Sequence, residues 1–173
     1  MVSYSITDED SIYFHEDEYC QIEIIPEENY FEGSKVLEEH SVHEENNGFL
    51  SVYSRKPHTL KTIEKSITVH SFKELLEKYS LKTFKIVNSG YGRQIIHKPN
   101  IMAYGFENYV LFVEIHNSTI QNIWIMYSAS LISKDVFPVQ LEKALYEIGK
   151  KWNEEVIVRL SNLKLVEDYL QAI

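Results

Sequence analysis

Two histidines of the seven in the chain, His40 and His43, have a spacing that could support metal binding. Residues three apart lie on one face of a helix, and Glu39 and Glu44 beside them would add carboxylates. A zinc protease needs His-Glu-x-x-His, which is absent. No further pair of Cys or His residues completes a structural zinc site. The sequence therefore predicts no metal site and no cofactor.

Acid–base or nucleophilic catalysis has few candidates. His15 is followed by three carboxylates, Glu16, Asp17 and Glu18, but a run of charges is more typical of a solvated face than of a pocket. The single cysteine, Cys20, shares one face of an alternating run with Ile22 and Ile24 and is expected to be a buried strand residue. No serine lies in a Gly-x-Ser-x-Gly elbow. The chain is predicted not to be an enzyme, with no catalytic residue assigned.

One glycine-rich loop could approach a ligand. Neither a Gly-x-Gly-x-x-Gly motif nor a P-loop is present, but residues 90–93 read Gly-Tyr-Gly-Arg. Two glycines permit close backbone approach, and a guanidinium binds oxyanions. The other interpretation is an ordinary turn between strands. The loop, together with His97, supplies an alternative function, a small ligand-binding domain or enzyme using Gly90 to Arg93.

Charge is distributed unevenly along the chain. Residues 1–46 hold fourteen acidic residues and one basic residue, a net charge of −13, whereas the remainder holds sixteen basic and twelve acidic residues, a net charge of +4. Such a negative field disfavours a nucleic-acid partner and attracts a basic protein surface. The other interpretation is that the acidic residues only keep the chain soluble.

The pattern of elements predicts one α+β domain over residues 1–173. Strands come first and helices last, which suits an antiparallel or mixed β-sheet packed with helices on one side. Alternating or continuous apolar runs predict strands at 12–15, 19–25, 49–53, 84–88, 101–104, 109–115, 120–127 and 156–159. The first two are expected to form a hairpin. Helical periodicity predicts helices at 71–79, at 138–152 and after Ser161, with a short polar helix at 34–45.

The N-terminus lacks the basic and apolar regions of a signal peptide, and no apolar run is long enough to cross a bilayer. With a single cysteine and therefore no internal disulfide, this predicts a cytoplasmic protein that binds no membrane.

Residues 14–26 carry a resemblance to a known group of proteins. They read Phe-His-Glu-Asp-Glu-Tyr-Cys-Gln-Ile-Glu-Ile-Ile-Pro. This stretch resembles one found in small bacterial immunity proteins, which guard cells against polymorphic toxins, including those of contact-dependent growth inhibition systems. The resemblance implies a cytoplasmic, non-enzymatic protein that binds the C-terminal domain of a cognate toxin, many of which are nucleases with basic surfaces.

The acidic surface is the name used below for the toxin-binding residues that this reasoning predicts. Carboxylates would compete with a phosphate backbone for the lysines and arginines of a nuclease, and two aromatic residues would serve as anchors. Its members are Glu16, Asp17, Glu18, Glu27, Glu28, Tyr30, Phe31, Glu38, Glu39, Glu44 and Glu45. A structural or adaptor subunit is a third possible role.

Overall fold

The computed structural model describes residues 10–15, 22–29, 37–40, 52–55, 60–90, 94–106, 109–127, 137–152 and 155–159. Their strands are Ser11–His15 (β1), Ile22–Pro26 (β2), Leu37–His40 (β3), Val52–Arg55 (β4), Lys82–Phe84 (β5), Ile86–Gly90 (β6), Ile96–His97 (β7), Ile101–Phe106 (β8), Tyr109–His116 (β9), Thr119–Tyr127 (β10) and Glu155–Arg159 (β11). Their helices are Val69–Glu77 (α1), Val139–Trp152 (α2) and the 3-10 helices Glu27–Asn29 and Thr62–Lys65.

The main sheet has six strands in the order β11-β2-β10-β9-β8-β5, and every neighbouring pair in it is antiparallel. The central strand β9 is apolar at almost every position because both of its faces are covered. Leu111 and Val113 belong to the core on one face and Phe112 to the core on the other, and all three are fully buried. The prediction of a doubly covered strand at 109–115 is confirmed.

Both α-helices pack on one face of the main sheet. Phe72 and Leu76 of α1 and Leu141 and Ile148 of α2 are buried in the same core as the alternate strand residues of that face. The ring of Phe72 stacks on that of Trp152, with 5.7 Å between centroids. The predicted α+β fold with helices on one side is therefore confirmed.

The opposite face of the main sheet is covered by a second sheet, β1-β6-β7, in which β1 runs parallel to β6 and β6 antiparallel to β7. Phe14 of β1 meets Phe112 edge-on at 5.2 Å, and Phe112 stacks on Trp124 at 5.3 Å. Val87 of β6 is buried in the same cluster. The main sheet thus lies between a helical layer and a small sheet.

The predicted hairpin of the first two strands is wrong, because β1 and β2 belong to different sheets. Phe14 faces the core between the sheets, whereas Ile22 and Ile24 belong to the core beneath the helices. Alternation establishes that each strand has a buried face, but it does not select the strand with which it pairs.

Two helix predictions also change. Within the predicted polar helix at 34–45, residues 37–40 form β3, paired antiparallel with β4 from Leu37 with Arg55 to His40 with Val52. Helix α1 begins two residues earlier than predicted, since the hydroxyl of Thr68 accepts a hydrogen bond from the backbone N–H of Ser71 at 3.2 Å. Thr68 is therefore the N-cap. The helix predicted after Ser161 lies outside the described residues.

Candidate functional site

Within the acidic surface, side chains are described only in the 3-10 helix Glu27–Asn29, which follows β2. Glu27 and Glu28 are exposed there, and Asn29 is fully buried. The Asn29 side chain donates to the carbonyl of Leu60 at 2.6 Å and accepts from the N–H of Leu60 at 3.0 Å. These two bonds satisfy a backbone donor and a backbone acceptor with one amide, so the turn that presents the two glutamates is held against the segment at residue 60.

Glu28 forms an ion pair within the fold. Its carboxylate lies 2.6 Å from the ammonium group of Lys65, whose side chain is 13% exposed against 51% for Glu28. The hydrogen bond from Lys65 lowers the pKa of Glu28, although burial opposes the shift. Glu28 stays charged at neutral pH but has part of its field cancelled. Glu27 is exposed and has no ion-pair partner within the described ranges.

Two other described acidic residues of the first 46 positions are engaged by the fold. Asp10 forms an ion pair with Lys85. Glu23, 8% exposed, is the second residue of β2 and lies opposite Trp124 of β10. The net charge of −13 is therefore shared between residues that face water and residues engaged by the fold.

Two more predicted contact residues, Glu38 and Glu39, lie in β3, where they pair in register with Ser54 and Tyr53 of β4. The remaining members of the acidic surface lie outside the described residues: Glu16, Asp17, Glu18, Tyr30, Phe31, Glu44 and Glu45. The structure brings Glu27 and Glu28 together on one turn.

The alternative site at residues 90–93 is described only at its first residue and at His97. Gly90 ends β6 and lies so close to Gln94 that a Cβ on it would be 1.7 Å from the Gln94 carbonyl oxygen. Its own carbonyl accepts a hydrogen bond from the Tyr13 hydroxyl at 3.0 Å. Glycine is required here for backbone packing, which accounts for its presence without a ligand. His97 is exposed in β7, and Tyr91 to Arg93 lie outside the described residues.

Histidine, cysteine and carboxylate side chains do not gather around a possible metal position anywhere in the described ranges. In the sequence, His40 and His43 are the pair with a spacing that could support metal binding. His40 lies in β3 and not in a helix, while His43 lies outside the described residues.

A cavity of about 380 Å³ lies between the C-terminal half of α1 and the β5–β8 edge of the main sheet. Its lining combines hydroxyl, charged and aliphatic groups from Lys73, Leu76, Glu77, Ser80, Leu81, Thr83 and Tyr104. Sequence reasoning missed it. The four-residue spacing of Lys73 and Glu77 on a predicted helix indicated a shared face, but nothing in the sequence indicated that β5 and β8 would complete the wall.

Tyr104 is the most buried polar group of this lining, with 6% of the residue exposed. Burial, and then the charge of Glu77, raise the pKa of Tyr104 to about 12, so its hydroxyl remains protonated. That hydroxyl donates to the sulfur of Met102 at 3.6 Å. A thioether is a weak acceptor, so the donor capacity of the hydroxyl is only partly used.

Comparison with known proteins finds no matching family model, no matching curated protein and no matching solved structure. Across the ranges that the structure describes, neither α-helix has the length and apolar character needed to span a bilayer.

Proposed function

We propose that this chain is an immunity protein that binds the C-terminal domain of a cognate bacterial toxin in the cytoplasm and neutralises it through the acidic surface. The observation that carries the proposal is the charge asymmetry, −13 over residues 1–46 against +4 over the rest. A patch of one sign raises the rate at which an oppositely charged protein docks. The resemblance of residues 14–26 to immunity proteins gives the partner its class.

Inhibition in this proposal is steric and electrostatic, and it needs no catalytic group or cofactor. A nuclease binds its substrate through lysines and arginines that neutralise phosphates. Carboxylates placed on those same side chains would exclude the substrate, so the inhibitor and the nucleic acid would compete for one surface. The exposed Glu27 and Glu28 suit this role because their turn is already fixed by Asn29, which limits the conformational entropy lost on docking.

The ion pair of Glu28 with Lys65 sets a condition on this mechanism. A carboxylate at the surface can accept hydrogen bonds from two donors, so Glu28 can engage a partner cation while keeping Lys65. Glu27, which has no such partner among the described residues, is then the stronger contributor to the long-range field. The proposal therefore ranks Glu27 above Glu28 for attraction of the toxin.

The deciding experiment is co-expression with the cognate toxin domain, which the proposal expects to be encoded immediately upstream of this chain. We expect cells carrying both to grow, and cells carrying the toxin domain with an empty vector to die. Purified chain should also form a complex with a catalytically inactive toxin domain in size-exclusion chromatography. Continued cell death despite soluble expression of the chain, together with no complex, would refute the proposed function.

A further inference from the structure

The cavity beside α1 has a floor and a rim of different chemistry. Tyr104 of β8 and its register partner Thr83 of β5 come from the sheet. Lys73 and Glu77 come from successive turns of α1, and both are exposed. A ligand in this space would therefore meet hydroxyl groups below and one charge of each sign at the edge.

The two rim charges have no ion-pair partner among the residues that the structure describes. Residues four apart on a helix often form an ion pair, and His70 and Glu74 on the same helix are 3.4 Å apart. In the described part of the chain, however, neither Lys73 nor Glu77 lies within ion-pair distance of an oppositely charged group. A positive and a negative group thus border one cavity without neutralising each other.

The floor offers a hydrogen-bond donor. The Tyr104 hydroxyl is neutral and buried, and its described acceptor is the Met102 sulfur at 3.6 Å. A ligand oxygen would be a much better acceptor than a thioether, particularly if it carried negative charge. Glu77 and Tyr104 both line the cavity, so one small molecule could contact both residues.

We propose that this cavity binds a small zwitterion, a free α-amino acid with an apolar side chain. Its carboxylate would accept from the Tyr104 hydroxyl and pair with Lys73, while its ammonium group would pair with Glu77. Its side chain would pack on Leu76 and Leu81, which also line the cavity. The volume of about 380 Å³ is at the lower end of the range of known small-ligand sites, which suits a ligand of this size.

The first test is titration of the full chain with L-leucine. Binding is measured by isothermal titration calorimetry and by changes in the amide chemical shifts. We expect a dissociation constant on the order of 1 mM, since few contacts are made and the two rim residues, Lys73 and Glu77, are exposed. Two analogues test the need for both charges: N-acetyl-L-leucine resembles a peptide C-terminus, and L-leucinamide a peptide N-terminus. Each should bind about tenfold more weakly. If either analogue bound as tightly as leucine, or if leucine did not bind, the proposal that the cavity binds a zwitterion would be overturned.

The second test uses variants that change one group at a time. Glu77→Gln should weaken leucine binding about tenfold, and Tyr104→Phe, which removes only the hydroxyl, about threefold to tenfold. Glu74→Gln is the matched control, because Glu74 lies on the same helix but outside the lining. It should bind leucine as the unmodified chain does. Equal losses in Glu77→Gln and Glu74→Gln would overturn the assignment of the site.

Thermal unfolding checks that each variant folds. Because Glu77 is exposed, Glu77→Gln tests the site even if substitution of the buried Tyr104 destabilises the fold. Titration with leucine needs no toxin, and the co-expression test needs no leucine. Either proposal can therefore fail while the other stands.

Discussion

Asn117 and Ser118 connect β9 to β10, and both have positive φ angles, 47° and 64°. A two-residue loop with two such angles is a type I′ turn, which favours Asn followed by Gly. Serine at the second position therefore carries strain that glycine would relieve. Glycine at this position would keep the backbone hydrogen bond in which the carbonyl of residue 118 accepts from the N–H of Val69 at 3.0 Å.

We expect Ser118→Gly to raise the free energy of unfolding by about 0.5–1 kcal/mol, measured by urea denaturation. Ser71→Gly is the control of opposite sign. Ser71 lies inside α1, where glycine should cost about 1 kcal/mol. Destabilisation by Ser118→Gly would contradict the turn assignment.

Asn29 gives a prediction with a pH signature. Asn29→Asp would keep the oxygen that accepts from Leu60 but would place a second oxygen where the amide now donates to the Leu60 carbonyl. Only a protonated carboxyl could donate there, so folding would raise the pKa of the introduced group. The variant should therefore be least impaired in acid and lose stability, relative to the unmodified chain, as pH rises through that raised pKa.

At neutral pH the loss should be about 1–3 kcal/mol in a urea titration. Asn29→Ala is the comparison, since it removes both bonds without adding a titrating group. Its loss should not vary with pH, and a parallel pH profile for the two variants would disprove the proposed cause.

The Glu28–Lys65 pair predicts the opposite pH dependence. Folding lowers the pKa of Glu28 from 4.5, so its contribution is present above 4.5 and is lost as pH falls through the lowered value. Because the Glu28 side chain is half exposed, we expect Glu28→Gln to cost less than about 1 kcal/mol at neutral pH. The difference in free energy of unfolding between the variant and the unmodified chain should vanish in acid. Urea denaturation at neutral pH and at a pH below the lowered pKa of Glu28 would measure it.

Among the elements, α1 is attached to the sheet by Phe72, Leu75 and Leu76, and Phe72 also stacks on Trp152 of α2. Phe72→Ala should lower the free energy of unfolding by about 3–5 kcal/mol, because it removes a fully buried ring and leaves a void between the two helices. Glu74→Ala, on the exposed side of the same helix, should change it by less than about 0.5 kcal/mol. Comparable losses in urea denaturation would contradict this packing.

The elements that the sequence predicted well are those whose periodicity is decided locally. The apolar stripe of α2 and the continuous apolar run of β9 each allow one kind of burial. Pairing was less accessible. Strand β1 pairs in parallel with β6, which lies 75 positions later in the sequence. No pattern in either segment indicates that it pairs with the other. Prediction was therefore good for the type of the strongly periodic elements, wrong for the type of residues 37–40, and poor for strand partners.

The candidate sites follow the same division. The acidic surface could be proposed from composition because charge is a sum over residues and needs no fold. Composition did not indicate that Glu23 would be buried or that Glu28 would find Lys65, since both depend on strand neighbours and on a contact 37 positions away. The cavity around Tyr104 required three elements to meet, and so it became visible only in the fold.

At the scale of the whole molecule, the charge asymmetry predicts how binding to the toxin domain should depend on salt. Glu27→Lys should slow association about threefold at low ionic strength while changing dissociation less, and the difference should shrink as salt is added. Reversal of Glu38, Glu39, Glu44 and Glu45 together should do so more strongly. Glu74→Lys makes the same charge change on α1 and should have a smaller effect. Stopped-flow kinetics with an inactive toxin domain would decide, and equal slowing by Glu27→Lys and Glu74→Lys would contradict a localised docking face.

The position of β2 has a consequence for how the molecule is made. This strand lies between β10 and β11, so one of its edges is closed by residues 155–159, which a ribosome adds more than 120 positions later. Until then, the backbone groups of Ile22 to Pro26 on that side have no strand to bond with, and such an edge can recruit another chain. Released chains that end before residue 155 should therefore aggregate more readily than the full chain, and a cellular chaperone that covers that edge would improve their yield.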